Sequence, residues 1–310
     1  MSLPLPLKNG ALEIDNSFIE ALTTCPRKLV YSYLMKRKPR EEKPSLNFGS
    51  AIHAALEWRY KTLKNSSPTL MDEQDLFDQI LQPYFNANPQ PEEDHRTLNF
   101  AHEIMQRYNQ RYSNEPFQLM VDAEGKVMAE LSFALPLFEF KNIPIIYTGR
   151  IDLPVIWDGQ LIIIDHKTTS MLGPFYFEGQ KVSPQFEGYA WAFEQLAKQK
   201  VSGFCINAIR TKAPPATARG GWDKWWDECF GRHKEYLRPG QLEEWRRNTI
   251  AHVTEFFYHM EQEFFPQRKK ACTIYGKCPY FDVCYLPEEN RNVVLASDLF
   301  QTNDWSPLKT

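Results

Sequence analysis

The chain has 310 residues, of which 43% are hydrophobic, 14% aromatic and 24% charged, and its formal net charge is −3. Such a chain can bury a substantial core, which excludes collagen-like, mucin-like and wholly disordered proteins. It also lacks a global positive field, so a polyanion would have to be met by a local site.

The opening residues, Met-Ser-Leu-Pro-Leu-Pro-Leu-Lys, have no basic start and no unbroken apolar stretch, and do not read as a secretory signal. No apolar run approaches the roughly 18–20 residues that span a bilayer. The expected location is therefore cytoplasmic, with no membrane partner. Apolar positions at helical spacing predict a helix from Ser17 to Met35, interrupted at Cys25-Pro26. Six basic residues and no acid follow between Arg27 and Arg40, and Pro39 and Pro44 punctuate a loop. A second helix is predicted from an N-cap at Ser50, with Ile52, Ala55 and Leu56 on one face. Residues 86–93 read as loop. Leu98, Ala101, Met105, Tyr108 and Tyr112 repeat every three or four residues and predict another amphipathic helix.

Near residue 127 the period changes to that of strands. Val127–Phe138 and Ile143–Ile156 are predicted strands, and Gly159-Gln160 is a predicted turn. Leu161–Lys167 is a third strand, apolar enough at its start to be buried on both faces. Pro184 opens a helix to Lys198, and Val201–Arg210 is a fourth strand. After the Pro214-Pro215 and Gly220-Gly221 breaks, residues 222–265 read as helical and rich in Trp and Phe. The tail from Pro266 reads as loop. There is no internal repeat and no GxxxxGK[ST] phosphate loop, which excludes a helicase motor of that kind.

The strongest chemical signal is Gly149-Arg150-Ile151-Asp152 followed by Ile164-Asp165-His166-Lys167-Thr168. Side chains alternate along a strand, so Asp165 and Lys167 share a face and His166 points away. If the two strands pair as a hairpin, Asp152, Asp165 and Lys167 converge at one sheet end. Two carboxylates suit a hard divalent cation such as Mg²⁺. The lysine would stabilise developing negative charge. A surface strand end with a salt bridge is the plain structural alternative.

These segments resemble the two acidic motifs of the PD-(D/E)XK nuclease superfamily, in its RecB-like branch. That branch includes the AddB nuclease domain and the iron–sulfur nucleases of CRISPR adaptation. Ile151 stands where the family pattern has proline. Phe48-Gly49-Ser50-Ala51-Ile52-His53 resembles the branch's Gly-x-x-x-His helix, and Gln185-Phe186-Glu187-Gly188-Tyr189 its Gln-x-x-x-Tyr motif. The resemblance implies that His53, Asp152 and Asp165 hold Mg²⁺ or Mn²⁺, with the His166 carbonyl as a further ligand. It implies that Lys167 stabilises charge, and that Gln185 and Tyr189 contact DNA or orient the site. Glu130 resembles an acidic family position that supports the metal through water or serves the structure. The implied fold is α/β, a restriction-endonuclease-like αβββαβ core with a mixed central sheet, helical additions at both ends and a cysteine-ligated cluster. The whole chain is expected to form one such domain: a helical part (17–125), the catalytic core (126–212), a helical addition (213–265) and a cysteine tail (266–310).

Six cysteines lie at 25, 205, 229, 272, 278 and 284, three of them within Cys272-x5-Cys278-x5-Cys284. Disulfides are rare in the cytosol. Thiolates are soft ligands that suit an iron–sulfur cluster or Zn²⁺. Three are one short, and Cys25 is the natural fourth. The family resemblance implies a [4Fe–4S] cluster on Cys25, Cys272, Cys278 and Cys284, although its usual first tail spacing is Cys-x2-Cys. Zn²⁺ is the alternative metal. Cys205 and Cys229 read as buried hydrophobes. The basic run of Arg27 to Arg40 is either a phosphate grip or a solvated face. The tryptophans at 222, 225, 226 and 245 favour core packing over base stacking.

The implied activity is a metal-dependent deoxyribonuclease, an exonuclease on single-stranded DNA or duplex ends, with a helicase or recombination protein as a further partner. Two rival readings are a non-cleaving DNA-end-binding subunit and a redox protein centred on the cluster.

Overall fold

The computed structural model describes residues 4–41, 43–63, 73–218, 220–274, 276–304 and 306–308. The chain divides into two compact units, Met1–Glu42 with Ser132–Arg150 and Gly240–Thr310, and Lys43–Leu131 with Ile151–Pro239. Among the described residues no helix is long and apolar enough to cross a membrane.

The first unit begins with strands β1 (Leu7–Lys8) and β2 (Ala11–Ile14). Asp15 then caps helix α1 (Asn16–Thr24), its Oδ1 accepting the Phe18 N–H at 2.6 Å. Pro26 brings no N–H, so the helical path breaks at Cys25 and resumes as α2 (Pro26–Leu29) and a π-helical turn, Val30–Leu34. Strand β3 (Arg37–Pro39) follows, and later β5 (Leu131–Phe140), β6 (Ile143–Ile151) and the long helix α10 (Gln241–Glu261). The tail holds α11 (Phe281–Tyr285), α12 (Glu288–Leu295) and β11 (Phe300–Thr302). Lys141 and Asn142, at φ 50° and 62°, make the tight turn between β5 and β6. The sheet order is β1-β2-β6-β5, with β2 parallel to β6, and β11 pairs separately with β3. Phe18 packs edge-on against Phe256 of α10, and Tyr147 against Trp245.

The second unit carries helices α3 (Pro44–Thr62), α4 (Glu73–Leu76), α5 (Gln82–Ala87) and α6 (Leu98–Arg111). Strands β4 (Phe117–Leu119), β7 (Leu153–Trp157) and β8 (Gln160–Thr169) come next. Helices α7 (Pro174–Lys181) and α8 (Pro184–Ala197), strand β9 (Gly203–Arg210), helix α9 (Trp222–Asp227) and strand β10 (Phe230–Tyr236) complete it. The sheet order is β10-β9-β8-β7-β4; β8 and β9 are parallel, the crossover running through α7 and α8, and the other pairs are antiparallel. Leu161 to His166 of β8 are all buried, as their apolar run predicts. Ile162 and Ile164 pack with α3 and α6, while Phe186 of α8 packs with Phe204, Ile206 and Ala208 on another face. The Phe186 and Phe204 rings stack at 4.3 Å, a geometry contributing about 0.5–1.5 kcal/mol beyond area burial.

Several expectations are corrected. The predicted strand Ile143–Ile156 is cut at Asp152, and its halves join different sheets, as do the first and third predicted strands. The mixed α/β class holds, but the run of three strands is not one hairpin ladder. The turn is Asp158-Gly159, both at positive φ, rather than Gly159-Gln160. Residues 222–265 are not all helical: Arg232 and its neighbours form β10, which pairs antiparallel with β9 along its whole length. The helix predicted from Ser50 starts at Pro44, and Ser50 Oγ bonds back to the Leu46 carbonyl within it. The tail from Pro266 contains two short α-helices and a strand rather than loop alone.

Candidate active site

Pairing of β7 with β8 places Leu153 opposite Ile164, so Asp152, one residue earlier, stands across from Asp165 at the end of the ladder. Helix α3 brings the imidazole. Ile52, Ala55 and Leu56 are buried on its inner side, and Gly49 is where it meets β8. A Cβ at Gly49 would lie 2.8 Å from Thr168 Oγ1, so glycine permits the close approach that sets His53 one turn further on. Nδ1 of His53 is then 3.7 Å from both Asp152 Oδ2 and Glu130 Oε1. Glu130 lies in the left-handed region at φ 53°, and its N–H donates to the Asp152 carbonyl at 2.9 Å. A non-glycine residue held in that region costs roughly 1–3 kcal/mol, and such strain gathers at functional sites.

Asp152 Oδ2 accepts the His166 backbone N–H at 2.7 Å. Lys167 Nζ lies 2.7 Å from Asp165 Oδ2 and donates to Gln185 Oε1 at 2.8 Å. Gln185 Nε2 in turn donates to the Tyr189 hydroxyl at 2.9 Å. The spacing of four in Gln-x-x-x-Tyr thus places both side chains one above the other on α8. Gln185 fixes the ammonium and Tyr189 fixes the amide.

The electrostatics follow from crowding. Burial, with the Asp165 carboxylate beside it, pushes the Asp152 carboxyl up to about 8. Burial opposes charge on His53, but Asp152 and Glu130 outweigh it and raise the imidazole to about 9. His166 behaves in the opposite way: burial, with His53, Arg232 and Arg59 nearby, holds it well below the usual imidazole range. Its ring is therefore neutral. It stacks on Tyr60 at 5.6 Å and takes a hydrogen bond at Nδ1 from Asn207 Nδ2 at 2.8 Å.

His53, Glu130 and Asp152 offer donor atoms that all lie within 4.8 Å of one another. Glu130 thus joins the group in the place expected for Asp165, which stands alongside and faces Lys167. Asp165 Oδ2 is buried and accepts no hydrogen bond of good geometry among the described residues. Three carboxylates around one ammonium and one titrating imidazole, with mixed nitrogen and oxygen donors, fit a divalent cation. The His166 ring takes no part in this donor set.

Of the four cysteines expected to hold a cluster, Cys278 is within electrostatic reach of Cys25, Cys272 and Cys284. Cys25 occupies the break between α1 and α2, and the Cys278 N–H donates to the Cys272 carbonyl at 2.9 Å. Burial raises the Cys278 thiol, Lys28 opposes it, and Cys272 and Cys25 add to it. Burial likewise raises Cys284, which feels Arg27, the Tyr31 hydroxyl, Cys25 and Cys278. Gln267 Nε2 reaches Cys272 Sγ at 3.9 Å. An all-thiolate set edged by cations fits an iron–sulfur cluster or Zn²⁺. Cys205 and Cys229 are fully buried, and burial pushes their thiols to about 12 and about 11. Trp225, Trp226 and Trp245 are core residues, whereas Trp222 is exposed.

Sequence reasoning missed a buried polar network behind the sheet end. Glu115 pairs with Arg59 at 2.9 Å and with Arg232 at 2.6 Å. Arg232 also donates to Asn207 Oδ1 at 3.0 Å and to the Tyr108 hydroxyl at 2.9 Å, and its guanidinium lies 3.6 Å from the Tyr112 ring centroid. The chain runs through Asn207 to the His166 ring, whose backbone holds Asp152. One signal was available: Ile52, Ala55, Leu56 and Arg59 share helical spacing, so Arg59 sits on an apolar face and needs a buried anion.

No curated protein matches this chain in sequence. Among solved structures, a protein from Eubacterium rectale, provisionally assigned as an exonuclease, is 13% identical with a TM-score of 0.52, covering 89% of each chain. It supports the fold. A second, SSO0001, is 10% identical, covers 65% of this chain and 84% of its own, and has a TM-score of 0.27, too low to carry an argument. The profile of the PD-(D/E)XK nuclease superfamily matches residues 16–285, which takes in every donor discussed above. The chain belongs to the PD-(D/E)XK nuclease superfamily.

Proposed function

We propose that this nuclease is a Mg²⁺- or Mn²⁺-dependent deoxyribonuclease of the RecB-like branch that removes nucleotides from single strands or DNA ends. The observation that carries the reading is the convergence of His53, Glu130 and Asp152 beside the Asp165–Lys167 pair. A divalent cation in that donor set would supply an activated water and polarise a phosphate oxygen. His53, Glu130 and Asp152 would hold it, with Asp165 and the His166 carbonyl completing the set. Lys167, steered by Gln185, presents its charge to the phosphoryl oxygens as negative charge builds there. Tyr189 is a positioning residue, since it acts on Lys167 through Gln185. Cys25, Cys272, Cys278 and Cys284 would carry a structural [4Fe–4S] cluster, and the basic residues from Arg27 to Arg40 would meet phosphates.

The test is a time course on 5′- and 3′-labelled single-stranded and duplex DNA, with and without Mn²⁺. Release of short labelled products from one end, lost with Asp165→Ala, supports the reading. Binding of DNA ends without cleavage under every metal condition supports the end-binding alternative instead. Iron and sulfide assays on an anaerobic preparation test the cluster, and zinc in their place would overturn that part.

A further inference from the structure

The strand bearing Lys167 and the helix bearing Gln185 are joined by residues 170–183, which include α7. The inner side of this connection is fixed. Leu172, Tyr176 and Phe177 pack on the Phe186, Phe204, Ile206 and Ala208 cluster. Lys167 Nζ lies 5.9 Å from the Phe186 ring centroid and Asp165 pairs with Ile206 across the β8–β9 ladder, so α7, packed on the same cluster, borders the reacting centre.

The outer side carries three bare apolar residues, together with Glu178, which is paired with Lys181 at 3.1 Å. Met171 is 77% exposed, Val182 81% and Phe175 94%, the last being the most exposed large hydrophobic residue among those described. Single exposed apolar residues are ordinary, but three in one short anchored connection beside a catalytic lysine call for a partner. A nucleic-acid chain entering the site brings one kind of flat apolar surface, its bases. A duplex keeps those faces stacked, whereas a single strand offers them. Aromatic side chains receive such bases with little regard to sequence.

Resting on the nuclease reading above, we propose that Phe175, flanked by Met171 and Val182, takes up the bases of a single DNA strand next to the scissile phosphate. The surface continues the site itself, which is why a strand, rather than a second copy or another protein, is its occupant. The enzyme would then favour single strands and frayed ends over intact duplex, with weak sequence preference.

The experiment compares wild type, Phe175→Ala and Phe175→Trp on a labelled single strand, the same strand made abasic, and a blunt duplex. Phe175→Ala is expected to raise KM on the ordinary strand roughly tenfold. The abasic strand should show little rise, and Phe175→Trp should recover the wild-type value. An unchanged KM on the ordinary strand, or an equal rise on both strands, overturns the proposal. Fluorescence anisotropy of the uncut strand in chelator separates the two readings. Phe175-dependent binding by a protein that cleaves nothing would keep the surface and discard the nuclease reading. Cleavage indifferent to Phe175 would do the reverse. Loss of a sedimenting dimer in Phe175→Ala, with DNA unaffected, would assign the surface to a second copy and overturn the proposal.

Discussion

The nitrogen and oxygen donors of His53, Glu130 and Asp152 come from a long helix, a turn and a strand end, all within one unit. The sulfurs of Cys25, Cys272, Cys278 and Cys284 come from an interhelical break, a 3₁₀ turn, a loop and a five-residue helix in the other. The first set rides on a hydrogen-bonded sheet whose core would form without any cation. The second set sits on short turns and helices rather than on a sheet, and Cys25 lies far in sequence from the other three. On the proposed reading, a group bound at the first set would add chemistry and one bound at the second would add structure.

The sharpest way to break this contrast is to remove the carboxylate beside the first set and one thiolate from the second. Asp165→Ala should lower DNA cleavage by about 10³-fold or more while leaving the melting midpoint unchanged or raised, since a buried carboxylate leaves a crowd of like charges. Cys25→Ala should lose bound iron and sulfide and show an earlier, broadened unfolding transition by calorimetry. Equal thermal damage from both substitutions would erase the distinction.

The second test lies behind the carboxylate site. Glu115 is the shared anion of two buried guanidiniums, those of Arg59 and Arg232. Glu115→Gln leaves both cations without a counter-charge, and breaking a buried pair costs about 3–5 kcal/mol. Urea unfolding should register that loss in the second unit, and a loss below about 1 kcal/mol would mean that the network is not a stability element.

How much of this was legible beforehand follows the same division. The alternation Asp165-His166-Lys167 fixed which residues share a face, and the run Leu161 to Ile164 announced a strand buried on both sides. The helical spacing of Gln185 and Tyr189 placed them together on α8. For Glu130 the sequence offers water-mediated support of the metal or a structural role, and its place among the direct donors carries no periodic signature, because it is a left-handed turn residue. The strand at Phe230–Tyr236 was hidden by neighbouring aromatic helices, and its pairing with β9 is a long-range matter that local pattern does not carry. Arg232, Asn207 and Glu115 converge from distant segments, so only the misplaced Arg59 hinted at them.

A third test uses protons. Asp152 carries a carboxyl raised from 3.8 to about 8, so the folded state holds that proton more tightly than the unfolded state, and its contribution fades as pH rises from about 4 to 8. His53 is raised from 6.5 to about 9, so the stability it contributes is full below 6.5 and lost by about 9. Both trends have the same sign between pH 6.5 and 8. The metal-free protein should therefore melt a few degrees lower at pH 8 than at pH 6.5. Mn²⁺ should reverse the difference by displacing the proton, with proton release visible in calorimetry across buffers. A melting point that rises with pH in the metal-free protein would contradict the crowding of Asp152 by Asp165.

The smallest effect concerns the close approach that delivers His53. At Gly49 a methyl group would meet Thr168 Oγ1 at 2.8 Å but Thr168 Cβ only at 4.0 Å. Gly49→Ala alone should lift α3 from β8 and move the imidazole; overpacking of this kind costs about 1–3 kcal/mol, offset in part by about 1 kcal/mol of helix propensity. Removing the hydroxyl in the Gly49→Ala, Thr168→Ala double variant leaves ordinary van der Waals contact, so cleavage should recover toward the level of Thr168→Ala. The coupling in that double-mutant cycle, read as Mn²⁺ affinity as well as rate, separates a displaced histidine from a general loss of packing. Additive effects on both readouts would mean that α3 and β8 do not meet through these two residues.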